Sequence, residues 1–298
     1  MLGLIQYPAR LLRATRRQTA ALALPDRRDL EAIGLHLLLV GSVLLIVFPI
    51  LVAAIVSTKQ TGIVTSLADL APGGHVVENY RTVLVDYQFG RFMLNSFLMA
   101  TVIVIGKLAL SIFAATAIVY YDLPYKDLLF LFILFTLLLP VPVRFIPLFQ
   151  LVADLGWTNS VLAITVPYLA SATTVFILRQ HFLSIPSSIV ETAKLDGVGP
   201  LKFMAFVLLP MSKGILVGVS VIMFVFAWNQ YLWPLVIINA EADQVAQVGL
   251  ALLEGDVVGG EVSWSLVMAG SMLTLLPPLL LLILFRKPLL QAFVIQQK

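Results

Sequence analysis

Long apolar runs separated by short polar stretches dominate the sequence. Each run is close to the roughly 20 residues that an α-helix needs to cross about 30 Å of hydrocarbon. The runs are much longer than the roughly 9–11-residue strands of a membrane barrel, and they lack its alternation of apolar and polar residues. The pattern therefore predicts an all-α membrane protein with six transmembrane helices, near 33–56, 91–121, 128–149, 161–183, 215–238 and 265–285.

Composition agrees with this interpretation and divides the chain into three parts. Of the 298 residues, 60% are hydrophobic and 12% charged, whereas a soluble domain has about 25% charged residues. We expect a basic N-terminal tail at 1–32, a six-helix domain at 33–285 with a polar loop at 184–214, and a C-terminal tail at 286–298. The N-terminal tail is either an amphipathic anchor at the membrane surface or a disordered signal for orientation.

Basic residues are distributed unequally between the two sides of the predicted membrane domain. With a cytoplasmic N-terminus, 14 of the 19 Lys and Arg residues lie on the cytoplasmic side, four lie outside and Lys107 lies within a span. The positive-inside rule therefore predicts that both termini are cytoplasmic. This asymmetry also explains the pI of about 9.2 without a nucleic-acid partner. The acidic outer loop at 239–264 is either simply solvated or in contact with a soluble partner.

Several classes of chemistry are excluded or disfavoured. The sequence has no cysteine, and its three histidines show no metal-ligand spacing. It has no G-x-x-x-x-G-K-[ST] phosphate loop, because its single Gly-Lys pair lies within a span. No Asp or Glu lies within the six apolar runs, which speaks against an ion-coupled secondary transporter. We therefore expect no catalytic residues, no metal and no cofactor in this chain, so that it is not an enzyme.

A polar segment between the fourth and fifth runs interrupts the membrane pattern. Pro186 ends the fourth run, and Ser187 or Ser188 is expected to cap a new helix with Glu191 in its first turn. Gly197 is expected to end that helix after about two turns. The sequence therefore predicts a short helix outside the membrane, on the cytoplasmic side.

A second short helix is expected directly afterwards. It is amphipathic from Leu201 to Leu209 and is expected to end at Pro210. In the first helix, Ala193 and Gly197 are small and lie four residues apart, which allows another surface to approach closely. A helix-turn-helix of this kind is suited to docking into a groove of another protein.

This segment resembles the motif of permease subunits in bacterial ABC importers: E-A-A, three residues, Gly, nine residues, Ile-x-Leu-Pro. The chain has Glu-Thr-Ala at 191–193, Gly at 197 and Val-Leu-Leu-Pro at 207–210, so Thr replaces Ala and Val replaces Ile. The resemblance implies the type I ABC importer permease architecture, with a coupling helix that docks into the ATP-binding subunit. The residues expected to couple to the ATPase are Glu191, Ala193, Asp196, Gly197, Leu209 and Pro210.

The resemblance extends from about residue 38 over most of the chain and is closest to six-span permeases of the carbohydrate-uptake group. It implies a place in the bacterial plasma (inner) membrane, in contact with lipid. It also implies three kinds of protein partner: a sister permease subunit, two ATP-binding subunits and an external substrate-binding protein. ATP and Mg would be bound by the partner ATPase subunits.

Four further stretches, at 94–100, 136–147, 171–182 and 227–237, are most similar to permeases that import sn-glycerol-3-phosphate. They imply import of sn-glycerol-3-phosphate or a related polyol phosphate by alternating access. The alternative is the same machinery importing a neutral sugar, such as a disaccharide, an oligosaccharide or a glycosylated polyol. The resemblance also places the substrate pocket largely in the sister permease, so that residues of this chain would be pathway or gate groups.

Two cations in the apolar part of the chain are candidates for the substrate pathway. Lys107 lies near the middle of the second run, where an isolated charge costs roughly 2.5–3.5 kcal/mol. Arg144 follows Pro140 and Pro142, which break the third run and are candidates for a gate or hinge. Together the two cations would suit a phosphate monoester. Alternatively, Arg144 extends to the membrane surface or pairs with an acidic residue of a neighbouring subunit, and Lys107 bonds carbonyl groups.

The stretch WNQYLWP at 228–234 supplies the remaining candidates. Asn229 and Gln230 offer amide donors and acceptors for a polyol or sugar. Pro234 is expected to kink the fifth span and act as a hinge or gate. The aromatic rings either line the pathway or form a belt at the membrane surface; they belong to Trp228, Tyr231 and Trp233.

Overall fold

The computed structural model describes residues 27–60, 66, 70–255, 257–258 and 261–289. Most of both predicted tails lies outside the described residues. The chain divides into two compact units, Met1–Val52 and Ala53–Lys298. The first unit contains most of helix α1 (Arg27–Val56), whose side chains from Glu31 to Leu51 are exposed apart from the half-buried Val47. Such a surface is typical of a helix in lipid, where the apolar side chains need no protein cover.

The second unit is a helical bundle in which helices of very different lengths alternate. Its first half has a 32-residue helix followed by shorter pieces. In chain order the elements are α2 (Val76–Arg81), a π-helical turn (Thr82–Asp86), α3 (Phe89–Tyr120), α4 (Lys126–Leu138), α5 (Val141–Asp154), α6 (Val161–Thr165), a 3-10 turn (Val166–Tyr168) and α7 (Ala172–Leu183).

The second half of the unit contains the polar segment and the last two predicted spans. Its elements are α8 (Ser187–Leu195), α9 (Pro200–Phe203), a π-helical turn (Met204–Leu208), α10 (Leu209–Met211), α11 (Lys213–Trp228), α12 (Leu232–Ile237), a 3-10 turn (Glu241–Asp243), α13 (Ala246–Gly255), strands β1 (Val257–Val258) and β2 (Glu261–Val262), and α14 (Trp264–Leu284). The two strands pair antiparallel, with Val257 opposite Val262. The fold is therefore all-α apart from one two-residue hairpin in the described part of the chain.

Three of the predicted spans are single helices in the structure. They are Glu31–Val56, Phe89–Tyr120 and Trp264–Leu284, close to the predicted 33–56, 91–121 and 265–285. The other candidate spans are bent pairs. Lys126–Leu138 and Val143–Asp154 differ in direction by 100°, and Val161–Tyr168 and Ala172–Leu183 by 41°. The chain therefore has three to six candidate spans, depending on whether each bent pair is one span.

The fifth span differs most from its prediction of 215–238. Helix α11 begins at Lys213 after an 81° bend from Pro200–Met211, and it ends at Trp228. The short helix α12 then begins at Leu232, with Pro234 as its third residue. The first turn of a helix tolerates proline, because its N–H groups have no partner within the helix. The helix therefore breaks ahead of Pro234 and is not kinked at it.

Helix α3 is the centre of the bundle. It packs against α7 along one side and against α11 along another. Its buried side chains include Phe89, Met99 and Ile103, which join Leu178 of α7 and Val219 of α11 in one core cluster. Because α3 is a single continuous element between broken ones, it fixes the position of the helix breaks around it.

Candidate functional site

The turn in the EAA hairpin, defined as residues 187–211, is set by Gly197. This residue lies two positions beyond the end of α8 and has a φ of 66°. Its N–H donates to the Lys194 carbonyl at 3.1 Å, and the Val198 N–H donates to the Ala193 carbonyl at 2.9 Å. These two bonds form a Schellman motif, which satisfies carbonyl groups at the end of the helix. The glycine of the motif therefore has a backbone role that other residues perform at a cost.

Ala193 lies on the less exposed side of the hairpin, and its contact with a partner stays a prediction. Ala193 is only 8% exposed and lines a cavity of about 180 Å³ beside Val198 and Phe203. Gly197 lies beyond the helix, so the two small residues do not share a helical face. The small size of Ala193 instead allows the hairpin to pack closely on its own chain, while Glu191 is exposed.

The start of α8 also differs from its prediction. Pro186 is the N-cap residue, Ser187 is already helical, and no side chain caps the helix by a hydrogen bond. The extended backbone of Pro186, with ψ of 134°, occupies the position that was expected for a serine. Glu191 is therefore the fifth residue of the helix and lies beyond its first turn.

Pro210 lies within the second helical piece of the hairpin. Helical structure is continuous from Pro200 to Met211 and contains the π-helical turn at 204–208. Proline has no N–H and its ring crowds the carbonyl four residues earlier, so a regular α-helix is disfavoured there. A π-helical turn adds one residue to the turn and relieves that crowding. The helix ends at Met211, one residue after the predicted end.

The exposed surface of the EAA hairpin combines apolar and charged side chains. Leu195 is 88% exposed, and Leu201 and Phe206 are also largely exposed. The carboxylates of Glu191 and Asp196 are exposed as well. Exposed apolar groups bordered by charge on a polar segment mark a protein contact. Leu209 is half-buried and Pro210 is exposed, at the far end of this surface.

One ring contact and one hydrogen bond connect the hairpin, or the residue directly after it, to the end parts of α3 and α7. The Tyr120 hydroxyl at the end of α3 donates to the Phe182 carbonyl at 2.9 Å, and its ring meets Phe203 of the hairpin edge to face at 5.3 Å. His181 Nε2 lies 3.1 Å from Oγ of the buried Ser212, which follows the hairpin. The hairpin is therefore connected to both α3 and α7.

Trp233 joins three of the broken spans. Its indole N–H donates to the Ala163 carbonyl at 2.9 Å, and its ring meets Phe145 at 5.3 Å and Tyr168 at 6.4 Å. The side chain is fully buried, so the prediction that Trp233 lines a pathway is corrected to a structural role. Trp228 is likewise buried, with its N–H donating to the Thr274 carbonyl at 3.1 Å.

Lys107 lies in the interior of the bundle, as predicted. It is 4% exposed, and its Nζ is 4.7 Å from the centre of the Phe226 ring. A side chain at the adjacent Gly106 would collide with Leu169, so the break in the fourth span lies directly beside this part of α3. The ring face partly compensates the charge.

Arg144 lies on the exposed surface of α5. The break before this helix places Pro140 at the N-cap position and Pro142 at the second helical position. Phe145, next to Arg144, and Tyr168 both meet the Trp233 ring, and Leu169, next to Tyr168, packs against Gly106 beside Lys107. The two candidate cations and the break with its two prolines therefore lie in one part of the bundle.

The polar residues at the break between α11 and α12 are arranged differently from one another. Asn229 is exposed, and its side-chain oxygen accepts a hydrogen bond from the Gln247 amide at 3.0 Å. Gln230 is half-buried, Tyr231 is exposed and Pro234 is buried. All three polar residues are therefore available for contact with a solute or with another subunit, and Asn229 is held in place by Gln247.

Ion pairs in the described part of the chain lie away from the middle of the spans. They are His75 with Glu78 at 2.9 Å, Arg91 with Asp243 at 3.2 Å, and Lys126 with Asp122 at 3.8 Å. Among the described side chains, no group of three or more His, Cys, Asp or Glu is placed to hold a metal ion.

Sequence reasoning missed three polar groups of this region: Tyr120, His181 and Ser111. The hydroxyl of Ser111, 1% exposed, has no hydrogen-bond partner among the described residues. Tyr120 could have been identified from the sequence, because a tyrosine at the end of a span has a polar hydroxyl that needs a hydrogen-bond partner. Ser111 could also have been identified, because it lies four residues after Lys107 and therefore on the same side of the helix.

The sequence matches a known family of transport proteins. The profile of the family described as "Binding-protein-dependent transport system inner membrane component" matches residues 107–288, which is more than half of the chain. Among individual proteins, the sn-glycerol-3-phosphate transport system permease protein UgpE of Brucella melitensis is 35% identical over 281 residues, covering 92% of this chain and 99% of that protein. UgpE of Pectobacterium atrosepticum is 36% identical over 282 residues, with the same coverage.

A solved structure has the same fold. It is that of a bacterial ABC transporter involved in the import of the acidic polysaccharide alginate. The match has a TM-score of 0.79 and covers 89% of this chain and 99% of the other. Sequence identity is 23%, so the similarity concerns the fold alone.

Proposed function

Since the chain belongs to the family of binding-protein-dependent transport system inner membrane components, we propose that it is a permease subunit for sn-glycerol-3-phosphate or a related polyol phosphate. It is a transport subunit with the fold of an ABC transporter permease. The two relatives described above, each covered over 99% of its length, carry the substrate assignment. They do not favour the alternative, a neutral sugar.

The observation that carries the coupling mechanism is the exposed surface of the EAA hairpin. Leu195, Leu201 and Phe206 present apolar groups there, bordered by Glu191 and Asp196. In water, exposed apolar side chains on a polar segment favour burial against another protein. We propose that this surface docks on an ATP-binding subunit, and that Gly197 shapes the turn. Leu209 and Pro210 lie at its edge.

The proposed machine has four kinds of component. This chain pairs with a sister permease, two ATP-binding subunits hold ATP and Mg, and an external binding protein delivers the substrate. The loaded binding protein docks outside, and ATP closes the two ATP-binding subunits. The closure moves the EAA hairpin. The contact of Phe203 with the Tyr120 ring passes the movement to α3, and the bond of Ser212 with His181 passes it to α7. The spans then open inward and release the substrate.

Both termini of this chain are proposed to be cytoplasmic, as the distribution of basic residues favours.

Asn229, Gln230 and Tyr231 are the proposed pathway contacts at the break between α11 and α12. They carry hydrogen-bonding groups that suit polyol hydroxyls, and all three are at least partly exposed. Arg144 is proposed as a second cation of the pathway. The breaks after Leu138 and Trp228 are proposed as hinges, with Pro140, Pro142 and Pro234 fixing where each helix resumes.

Photocrosslinking tests the docking surface directly. Replacing Leu195 by the photoreactive amino acid p-benzoylphenylalanine should give a covalent product with the ATP-binding subunit upon illumination of the complex. Val77 is a matched control, because it is 80% exposed, similar to the 88% of Leu195, but lies on α2. The same replacement at Val77 should give no such product. If the complex is intact and position 195 forms no crosslink to the ATP-binding subunit, the proposed docking is contradicted.

A further inference from the structure

Two polar side chains on one side of α3 are buried without hydrogen-bond partners. Lys107 is 4% exposed, and no hydrogen bond or ion pair to it occurs within the described ranges. Ser111 is 1% exposed, and its hydroxyl has no partner among those residues. Residues four apart are neighbours on the surface of a helix. The side chains of Lys107 and Ser111 therefore lie on the same side of α3, one turn apart, without a hydrogen bond between them.

A gain in folding stability does not explain why either group is buried. Burying a polar group without a hydrogen bond costs free energy, and burying a charge costs more. A serine in a helix usually satisfies its hydroxyl by bonding the carbonyl four residues earlier, as Ser220 and Ser271 do at 2.6 and 2.9 Å. Ser111 does not make such a bond. A buried group without a partner calls for a specific explanation, and a ligand that binds in another state of the protein is one.

The surroundings of this pair are suited to opening. The break of the fourth span at 169–171 packs beside Gly106, one residue from Lys107. Within a membrane, irregular backbone is tolerated only where it is buried in protein or lines a water-filled cavity. Phe226 lies over the Lys107 ammonium group at 4.7 Å but is itself about half exposed. The ring is therefore a cover that separates the ammonium group from the outside of the bundle.

The charge balance points to an anion. Arg144 adds a second positive charge in the same part of the bundle, because its neighbour Phe145 and Tyr168 both meet Trp233, and Leu169 packs beside Lys107 at Gly106. No Asp or Glu of the sequence lies within the six apolar runs. Two like charges in a medium of low dielectric repel each other, and an anion between them would reverse the sign of that interaction. A phosphate monoester offers two charges and several acceptor oxygens, which complement an ammonium and a hydroxyl donor.

We propose that Lys107 and Ser111 form a covered site for the phosphate group of the transported substrate. The site is exposed when Phe226 moves off the ammonium group. The phosphate then replaces the ring as the partner of Lys107 and accepts the hydroxyl hydrogen bond of Ser111. This inference rests on the proposed function, and it makes Lys107 a specificity-determining residue for doubly charged substrates.

Uptake by the complete complex in proteoliposomes tests the site. The two substrates are sn-glycerol-3-phosphate, a phosphate monoester, and its methyl diester, which carries one negative charge less. In the Lys107→Met complex we expect monoester turnover to fall by about tenfold or more, because charge-assisted hydrogen bonds are strong, and diester turnover to fall much less. Lys107→Arg should restore most of the monoester turnover. Lys126→Met is the matched control, since it removes an exposed lysine elsewhere.

Ser111→Ala provides a second test that is independent of charge. Removing an unsatisfied buried hydroxyl should leave the folded chain as stable or more stable. A fall in monoester turnover of about threefold would therefore support a role as a ligand. If the Lys107→Met complex and the Ser111→Ala complex both transport the monoester at the wild-type rate, the proposal is overturned.

Two other results would also overturn it, and they are distinguishable. If Lys107→Met releases the sister permease from the complex, Lys107 holds the subunits together and is not a ligand of the substrate. If the wild-type complex takes up neither phosphate ester, the proposed function fails and the site fails with it.

Discussion

At the scale of single residues, Gly197 and Ala193 show how one motif contains two different tasks. Gly197 provides a left-handed backbone that lets the chain reverse after α8. Ala193 provides a small buried side chain where the hairpin packs on its own chain. The motif predicted the location of both residues but not this division. A repeat of small residues looks the same in sequence whether it serves a turn, an internal contact or a partner.

Replacing Gly197 by alanine tests the backbone role. A Cβ at this position would meet no atom within 4 Å, so any effect comes from the φ of 66°. The left-handed conformation costs an L-residue roughly 1–2 kcal/mol. We expect Gly197→Ala to weaken the stimulation of ATP hydrolysis by the loaded binding protein, with assembly retained. The measurement is the ratio of stimulated to basal ATPase activity in nanodiscs.

Gly199→Ala is the control for that experiment. A Cβ at Gly199 would also meet no atom within 4 Å, but the φ of this residue is −68°, which any residue adopts. The Gly199→Ala complex should therefore behave as the wild type. Equal behaviour of the two variants would show that the left-handed turn has no role in coupling.

At the scale of elements, the sequence predicted the unbroken helices well and the broken ones poorly. Glu31–Val56, Phe89–Tyr120 and Trp264–Leu284 follow from hydropathy, because each is a continuous apolar run. The break after Trp228 could not be predicted from hydropathy, because it lies between apolar helices on both sides. Pro234 signalled a break, but a proline marks the first turn of a new helix as readily as a kink.

Some residues of the candidate site could likewise be predicted from the sequence, and others could not. Lys107 was predictable as a cation inside a span, and its interior position agrees with that prediction. The structural role of Trp233 was not predictable. A tryptophan that lines a pathway and a tryptophan that joins three packed segments can have the same residues around them in the sequence. Only its burial and its hydrogen bond to the Ala163 carbonyl distinguish the two roles.

Replacing Pro210 by alanine tests the π-helical turn as an element. Without the proline ring, the turn at 204–208 is free to become regular α-helix, which removes one residue from the turn and rotates the preceding side chains. Leu201 and Phe206 would then point in new directions. We expect the Pro210→Ala complex to assemble but to lose several-fold in stimulated ATP hydrolysis.

Pro200→Ala is the matched control, because Pro200 is the first residue of α9, where proline removes no hydrogen bond. It should retain stimulation close to that of the wild type. Full stimulation in Pro210→Ala would mean that the π-helical turn does not set the docking surface.

At the scale of the whole molecule, contacts connect the hairpin at one end of α3 to the buried cation in its middle. Tyr120 bonds the end of α7 and packs on the hairpin, while Lys107 lies thirteen residues earlier on the same helix. Around Lys107 the spans are broken, and broken spans allow rearrangement without unfolding of regular helices. This arrangement suits a permease in which a partner at one end controls access to a site in the centre.

ATP hydrolysis by the complete complex in nanodiscs, with its binding protein present, tests the substrate and the coupling together. The complex is titrated in parallel with sn-glycerol-3-phosphate and with neutral sugars. We expect several-fold stimulation by the phosphate ester and none by the sugars. Stimulation by a neutral sugar alone would contradict the polyol phosphate assignment, and the absence of stimulation by any of them would contradict the proposed importer.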